Sequence, residues 1–207
     1  MSNRGGYEEG YRTCRCFWGT EPGSFVKLLA TELSSCAGLK VLDAGCGEGK
    51  NAAYLAGKGA IVDAVDVSDV AIQNGRALWG ALPRIQWHVA DVSAMTLPLD
   101  YYQIVIAYGL LHCTSDRIAW AHLVSALQNT TAPGGYQIIC AFNDRHQELH
   151  AHPDFRPCLL AHIEYLEAYA GWHVVAASDS DLTEQHPHNG IVHTHSMSRI
   201  LVRKPDL

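Results

Sequence analysis

Gly45, Gly47 and Gly49 alternate directly after the apolar run Lys40-Val41-Leu42-Asp43-Ala44, and a helix-like segment begins at Lys50. This is the pattern of a buried strand turning sharply into a helix. In an open α/β sheet such a turn is where an adenine-bearing cofactor docks. Spacing separates two cofactor classes. A dinucleotide fingerprint places its third glycine about three residues after the second. That position is Lys50 here, and the third glycine falls early, at Gly49. Glu48 also brings a carboxylate to the helix N-terminus, where it would repel a pyrophosphate. A phosphate-free cofactor with a positive centre suits the loop, and S-adenosylmethionine is such a molecule.

Histidine is the second chemical signal: the chain has 12, and nine lie between His146 and His195. If the loop holds such a sulfonium, transfer of its methyl group would be an in-line displacement with a good leaving group, and the protein would mainly position the acceptor. A base is needed only when the acceptor must lose a proton, and histidine is the usual donor of that service. His112, His193 and His195 are the candidates for orienting or deprotonating the acceptor or binding an oxyanion. A His-x-His pair at alternate strand positions, His193 and His195, points to one face and would suit a divalent metal such as zinc, nickel or copper. No third ligand is identifiable from spacing, although Cys14 and Cys16 would offer thiolates if the N-terminal arm folded over. The plainer reading, solvated or singly hydrogen-bonded histidines, stays open beside these.

Composition bounds the rest. A length of 207 residues fits one domain with a sizeable core. The net charge of -6 argues against broad phosphate-backbone binding and favours a small-molecule substrate over nucleic acid. No apolar run is long enough to span a bilayer, and the first residues lack a signal-peptide core, so a cytoplasmic protein without membrane association is expected, as monomer or homodimer. Seven scattered cysteines imply no disulfide framework.

The elements that must position these groups read clearly in the first two-thirds of the chain. An aromatic-rich arm over 1–20 carries Tyr11 and Trp18, whose ring faces suit a lid over a sulfonium. A helix opens at Pro22 with Phe25, Leu28, Leu29 and Leu33 on one face. Strands are expected over 40–44, 60–66, 85–89, 102–107, 136–142, 172–177 and 190–203, and helices over 50–58, 68–79, 117–128 and 158–170. Ser68 is an N-cap, residues 132–135 form a tight turn, 143–157 is irregular and 178–189 is a polar loop. A parallel crossover needs a dozen or more residues, usually a helix, and none separates the last two strands. The seventh strand should therefore run antiparallel, at the end of the sheet. The expected fold is α/β: a single-domain, Rossmann-like, doubly wound seven-stranded sheet, mostly parallel with an antiparallel last strand. Its ligand edge would gather His112, His146, His150, His152, His186, His188, His193 and His195.

Such a sheet, entered through Val41-Leu42-Asp43-Ala44-Gly45-Cys46-Gly47 and with Asp66 about twenty residues on, resembles the class I S-adenosylmethionine-dependent methyltransferase superfamily. More narrowly, Trp18-Gly19-Thr20-Glu21-Pro22, Gly49-Lys50-Asn51-Ala52 and His193-Thr194-His195-Ser196 look like the tellurite-resistance-type small-molecule methyltransferases. The resemblance implies an N-terminal arm and lid over 1–37 and a methyltransferase domain over 38–207. It implies cofactor contacts from Asp43, Gly45, Cys46, Gly47, Asn51, Asp66, Val67, Asp91, Val92 and Tyr108. Asp66 would accept the ribose hydroxyls, Asp91 and Val92 would meet the adenine edge, and Tyr108 would line the methionine portion. Asp63 is the weaker ribose candidate because it sits inside a strand. An aspartate at a strand end is also an ordinary helix cap. Tyr11, Trp18 and His146 are the expected substrate contacts. The expected activity is methyl transfer to a soft anion, a thiol or a small metabolite. Alternatives are a non-catalytic cofactor-binding sensor or partner subunit, and a nicotinamide oxidoreductase, which the loop spacing disfavours.

Overall fold

Val41, Leu42, Asp43 and Ala44 of β1 (Lys40–Ala44) are all buried, because β1 sits inside a sheet covered on both faces. The computed structural model describes residues 7–152, 154–186 and 190–206. Along the chain, α1 (Glu8–Thr13) and α2 (Ser24–Glu32) precede β1, and α3 (Lys50–Gly57), β2 (Ile61–Asp66), α4 (Asp69–Trp79), β3 (Ile85–Val89) and β4 (Tyr102–Tyr108) follow it. Then come α5 (Arg117–Thr130), β5 (Thr131–Gln147), α6 (His162–Glu167), β6 (His173–Gln185) and β7 (Val192–Arg203).

The sheet order is β3-β2-β1-β4-β5-β7-β6. β1 to β5 pair in parallel, and β7 is antiparallel to both β5 and β6. The expected reversed strand is there, but it lies between β5 and β6, so β6 forms the edge. Successive β4 residues feed opposite layers. Ile104 and Ile106 pack with Val26 and Leu29 of α2 and Leu55 of α3, whereas Val105 and Ala107 pack with Trp120, Leu123 and Leu127 of α5 and Tyr165 of α6. No helix among the described residues is long and apolar enough to cross a membrane.

Three expectations change in the last third. β6 runs to Gln185 instead of stopping at 177, and it pairs with β7 from His173↔Arg203 to Gln185↔Val192. Its polar residues alternate between exposed and half-buried, so the backbone ladder, and not an apolar pattern, holds this edge strand. Residues 132–135 form an irregularity within β5: the ladder jumps from Thr131 to Tyr136 while β4 advances only from Tyr102 to Ile104. α6 starts four residues late, because Leu160 bridges Asn143 and the Glu164 carboxylate caps the helix by accepting the Ala161 N–H at 2.8 Å.

Asp43 ties β1 to α3. Its Oδ2 accepts the Ala52 N–H at 3.0 Å, while its Oδ1 is buried without a partner. Burial pushes the carboxyl up to about 7. The folded protein thus keeps a proton that the unfolded carboxylate releases near pH ~4. This contribution to stability is full below that pH and is lost as pH rises through about 7. We expect Asp43→Asn to flatten the fall in melting temperature between acid and neutral pH. An unchanged slope in the variant would place the proton elsewhere.

Candidate functional site

The carboxyl ends of the parallel strands surround a cavity of about 800 Å³, within the range of small-molecule sites. The glycine loop lies at its base. Gly45 and Cys46 donate their N–H groups to the Val65 carbonyl at 2.8 and 3.0 Å, which seats the loop on β2. Gly47 has φ +54°, and a Cβ there would lie 2.9 Å from the Tyr11 hydroxyl. Gly49 has φ +79°, and its Cβ would overlap the Trp87 ring. The early third glycine is therefore required by a left-handed turn against an indole, a reason the sequence did not reveal.

Asp66 ends β2 on the cavity wall. Its carboxylate accepts the Gly47 N–H at 2.7 Å and the Ser68 N–H at 2.9 Å, so it braces the loop against the cap of α4. Burial raises its pKa. Val67, Asp91 and Val92 line the same end, and Asp91 holds its turn by accepting from Ser93 N–H at 3.0 Å and Ser93 Oγ at 2.6 Å. Asp63 lies inside β2 and binds His88 and Tyr102 instead. Asp43 does not reach the wall; it works beneath the loop.

The loop's remaining side chains turn toward the N-terminal arm. The Glu48 carboxylate accepts from Phe17 N–H at 2.6 Å, Cys16 N–H at 3.1 Å and Asn74 Nδ2 at 2.9 Å. Lys50 Nζ donates to the Trp18 carbonyl at 2.9 Å, and Asn51 Oδ1 accepts the Gly23 N–H at 2.8 Å. These contacts bring Tyr11 and Trp18 to the cavity wall, where Trp18 Nε1 donates to the Tyr11 hydroxyl at 3.1 Å. Tyr7 joins them. The arm is a short helix, α1, packed on Ala71 of α4, and it forms one wall of the cavity.

The cavity lining also carries Tyr108, His112, Cys140, Glu184 and Arg199. His112 is buried, and its Nδ1 accepts the Phe142 N–H at 3.1 Å. A neutral ring with that acceptor occupied carries its hydrogen on Nε2, and His112 Nε2 is buried without a partner. Burial, reinforced by His152, pushes the His112 pKa down to about 3, so it presents a neutral donor at neutral pH. Glu184 and Arg199 escaped the sequence reading: Glu184 fell in the expected polar loop, and Arg199 in the interior of a strand.

His193 and His195 come together as expected but not on the cavity wall. Both are fully buried, grouped with His152 and His186 behind Glu184. His146 is exposed beside Glu148 and does not line the cavity: β5 continues to Gln147 and carries it outward. Cys14 and Cys16 do not join the histidines, and His188 lies outside the described residues.

Because one carboxylate fastens the arm, Glu48→Ala should speed tryptic cleavage at Arg12 and Arg15 several-fold, measured by mass spectrometry. Cleavage at the wild-type rate would show that the arm is held without it.

Residues 41–135 match the family model described as a methyltransferase domain. A demethylmenaquinone methyltransferase from Clavibacter sepedonicus is 33% identical over 110 residues, 52% of this chain and 42% of that one. A 2-heptyl-1-hydroxyquinolin-4(1H)-one methyltransferase from Mycobacteroides abscessus is 32% identical over 105 residues, 50% of this chain and 46% of that one. The chain thus spans less than half the length of either curated relative. Among solved structures, TehB from Haemophilus influenzae superposes with a TM-score of 0.71 at 20% identity, covering 98% of this chain and 67% of that one. The 1,6-didemethyltoxoflavin-N1-methyltransferase from Burkholderia thailandensis, solved with its acceptor and S-adenosylhomocysteine, gives 0.71 at 22% identity, covering 98% and 87%. Residues 41–135 thus resemble a methyltransferase domain, and the seven-stranded sheet built around them has the same fold as these two solved methyltransferase structures.

Proposed function

We propose that this chain transfers the methyl group of S-adenosylmethionine to a small acceptor that reacts as an anion. The observation that carries this reading is the single cavity joining the glycine loop, Asp66 and Asp91 to Arg199 and to His112, whose Nε2 has no hydrogen-bond partner. Asp66 would accept the ribose hydroxyls, and Val67, Asp91 and Val92 would hold the adenine end. Gly45, Cys46, Gly47, Asn51 and Tyr108 would surround the methionine portion, with Asp43 supporting the loop from below. Residues 1–37 would act as the lid over the domain of 38–207, with Tyr11 and Trp18 closing on the sulfonium.

The methyl–sulfur bond breaks as the acceptor–methyl bond forms, and S-adenosylhomocysteine leaves. An acceptor that arrives as a soft anion or thiolate gives up no proton in this step. The wall suits such an acceptor, since Arg199 supplies a cation and His112 a hydrogen-bond donor; with its Nδ1 already accepting, His112 orients and does not deprotonate. The relatives named for demethylmenaquinone, a heptyl-hydroxyquinolinone and didemethyltoxoflavin support a small acceptor.

Calorimetry should show one molecule of S-adenosylmethionine or S-adenosylhomocysteine per chain. Asp66→Ala should weaken it at least about tenfold, because charge-assisted hydrogen bonds are lost. No binding of either compound at millimolar concentration would end this reading. Tellurite, selenite, thiols, phenols and amines form the acceptor panel; cofactor binding with no turnover on any of them would turn the assignment toward a sensor. With an acceptor in hand, His112→Gln should raise the acceptor KM about tenfold while leaving S-adenosylhomocysteine affinity alone. A loss confined to cofactor affinity would move His112 out of the acceptor wall.

A further inference from the structure

Four side chains from three separated stretches meet behind the acceptor wall. His152 follows the short 3₁₀ turn Leu149–Ala151, Glu184 is near the end of β6, and His193 and His195 begin β7. One ligating atom from each lies within 4.8 Å of all the others. The Nε2 atoms of His152 and His193 are 3.3 Å apart. Glu184 Oε1 is 3.6 Å from His193 Nε2 and 3.9 Å from His195 Nε2. Donors at the corners of a tetrahedral zinc site, about 2.0–2.1 Å from the ion, are separated by about 3.4 Å.

Protonation follows from the outer contacts. His193 Nδ1 donates to the Ile191 carbonyl at 2.8 Å. His195 Nδ1 is 2.8 Å from Gln147 Oε1, and the Gln147 amide nitrogen donates to the Asn143 and Ser196 carbonyls at 2.7 and 2.8 Å. Gln147 Oε1 is thereby set as the acceptor and His195 Nδ1 as the donor. In both neutral rings the Nε2 lone pair is left facing inward, and His195 Nε2 is buried with no hydrogen-bond partner. An outer acceptor that fixes the tautomer of an inward imidazole is the arrangement metal-bound histidines adopt. The His195 lone pair has no hydrogen-bond partner, and that of His193 faces another imidazole nitrogen, His152 Nε2, so an ion between them would satisfy both.

We propose that His152, His193 and His195, through Nε2, and Glu184, through its carboxylate, bind one divalent transition metal ion of the zinc class. Three imidazoles and one carboxylate form a tetrahedral N₃O set suited to zinc and its neighbours and poorly suited to calcium or magnesium. His186 Nε2, 3.1 Å from that of His152 and 3.7 Å from Glu184, allows expansion to five ligands. The ion would fasten the start of β7 to the end of β6 and to the 149–152 segment. It would also reach the arm, since the His186 ring stacks on Phe17 with centroids 4.9 Å apart. Glu184 alone of the four lines the cavity, so the ion sits one side chain behind the acceptor.

The test uses untagged full-length protein stripped with chelator and then titrated with Zn²⁺ and Co²⁺. We expect one equivalent bound, the intense visible bands of four-coordinate cobalt without thiolate charge-transfer bands, and a higher melting temperature with metal. His193→Ala and Glu184→Gln should each weaken binding by more than about a hundredfold. Gln147→Ala, which removes only the outer partner of His195, should weaken it about ten- to a hundredfold. His122→Ala, on the exposed face of α5, should change nothing. Substoichiometric metal, six-coordinate cobalt or unchanged affinity in Glu184→Gln would overturn the assignment. If His193→Ala fails to fold by circular dichroism, the half-buried Glu184→Gln and Gln147→Ala decide. Metal is counted without cofactor or acceptor, so the outcome is independent of whether methyl transfer is found.

Discussion

The Glu48 carboxylate joins the glycine loop to the N-terminal arm. It projects from the turn between β1 and α3 and accepts two backbone N–H groups of the arm and the amide of Asn74. Three hydrogen bonds to one buried carboxylate are strong. They also fix the orientation of the arm, because two come from consecutive backbone amides. Tyr11 and Trp18 reach the cavity only because this anchor, with Lys50 and Asn51, brings residues 16–23 down onto the loop. The glycines complete the arrangement: without side chains at 47 and 49, Tyr11 closes from one side and Trp87 packs from the other.

A division of labour follows across the cavity. The loop side is built from strand ends and backbone amides, held rigid by Asp43 and Asp66. The other side is built from β4, β5, β6, β7 and the turn after β4, and carries the groups that the proposed acceptor would meet. His112 shows how burial decides a role. Its Nδ1 accepts from the backbone and its ring stacks on Phe142 with centroids 4.1 Å apart, so the nitrogen left without a partner, Nε2, is the one that carries the hydrogen. His195 stacks on the opposite side of the same phenylalanine at 4.1 Å. Phe142 therefore separates the cavity histidine from the buried group around Glu184.

The first four strands, residues 136–142 of β5, the reversal of β7 and the strand-to-helix turn were legible because their signals lie in short stretches of sequence. Apolar runs mark buried parallel strands, Ser68 marks a cap, and alternating glycines mark the turn. The long edge strand was not legible. Residues 178–185 are polar and lack an apolar stripe, and their strand conformation comes from pairing with β7. The late start of α6 has a similar origin, since a bridge from Leu160 to Asn143 competes with helix over the preceding residues.

By itself, the amino-acid sequence determined the class of fold, the position of the glycine loop and the acidic residues at the strand ends, since each depends on neighbours within a few residues. It also indicated that histidines would collect at one edge of the sheet. Tertiary structure alone decided which of them face the cavity, that Glu48 turns to the arm, and that Glu184 and His152 meet His193 and His195. Glu48 meets Phe17 across 31 positions and His152 meets His193 across 41, and the geometry of the histidine group exists only once the sheet order has placed β7 between β5 and β6.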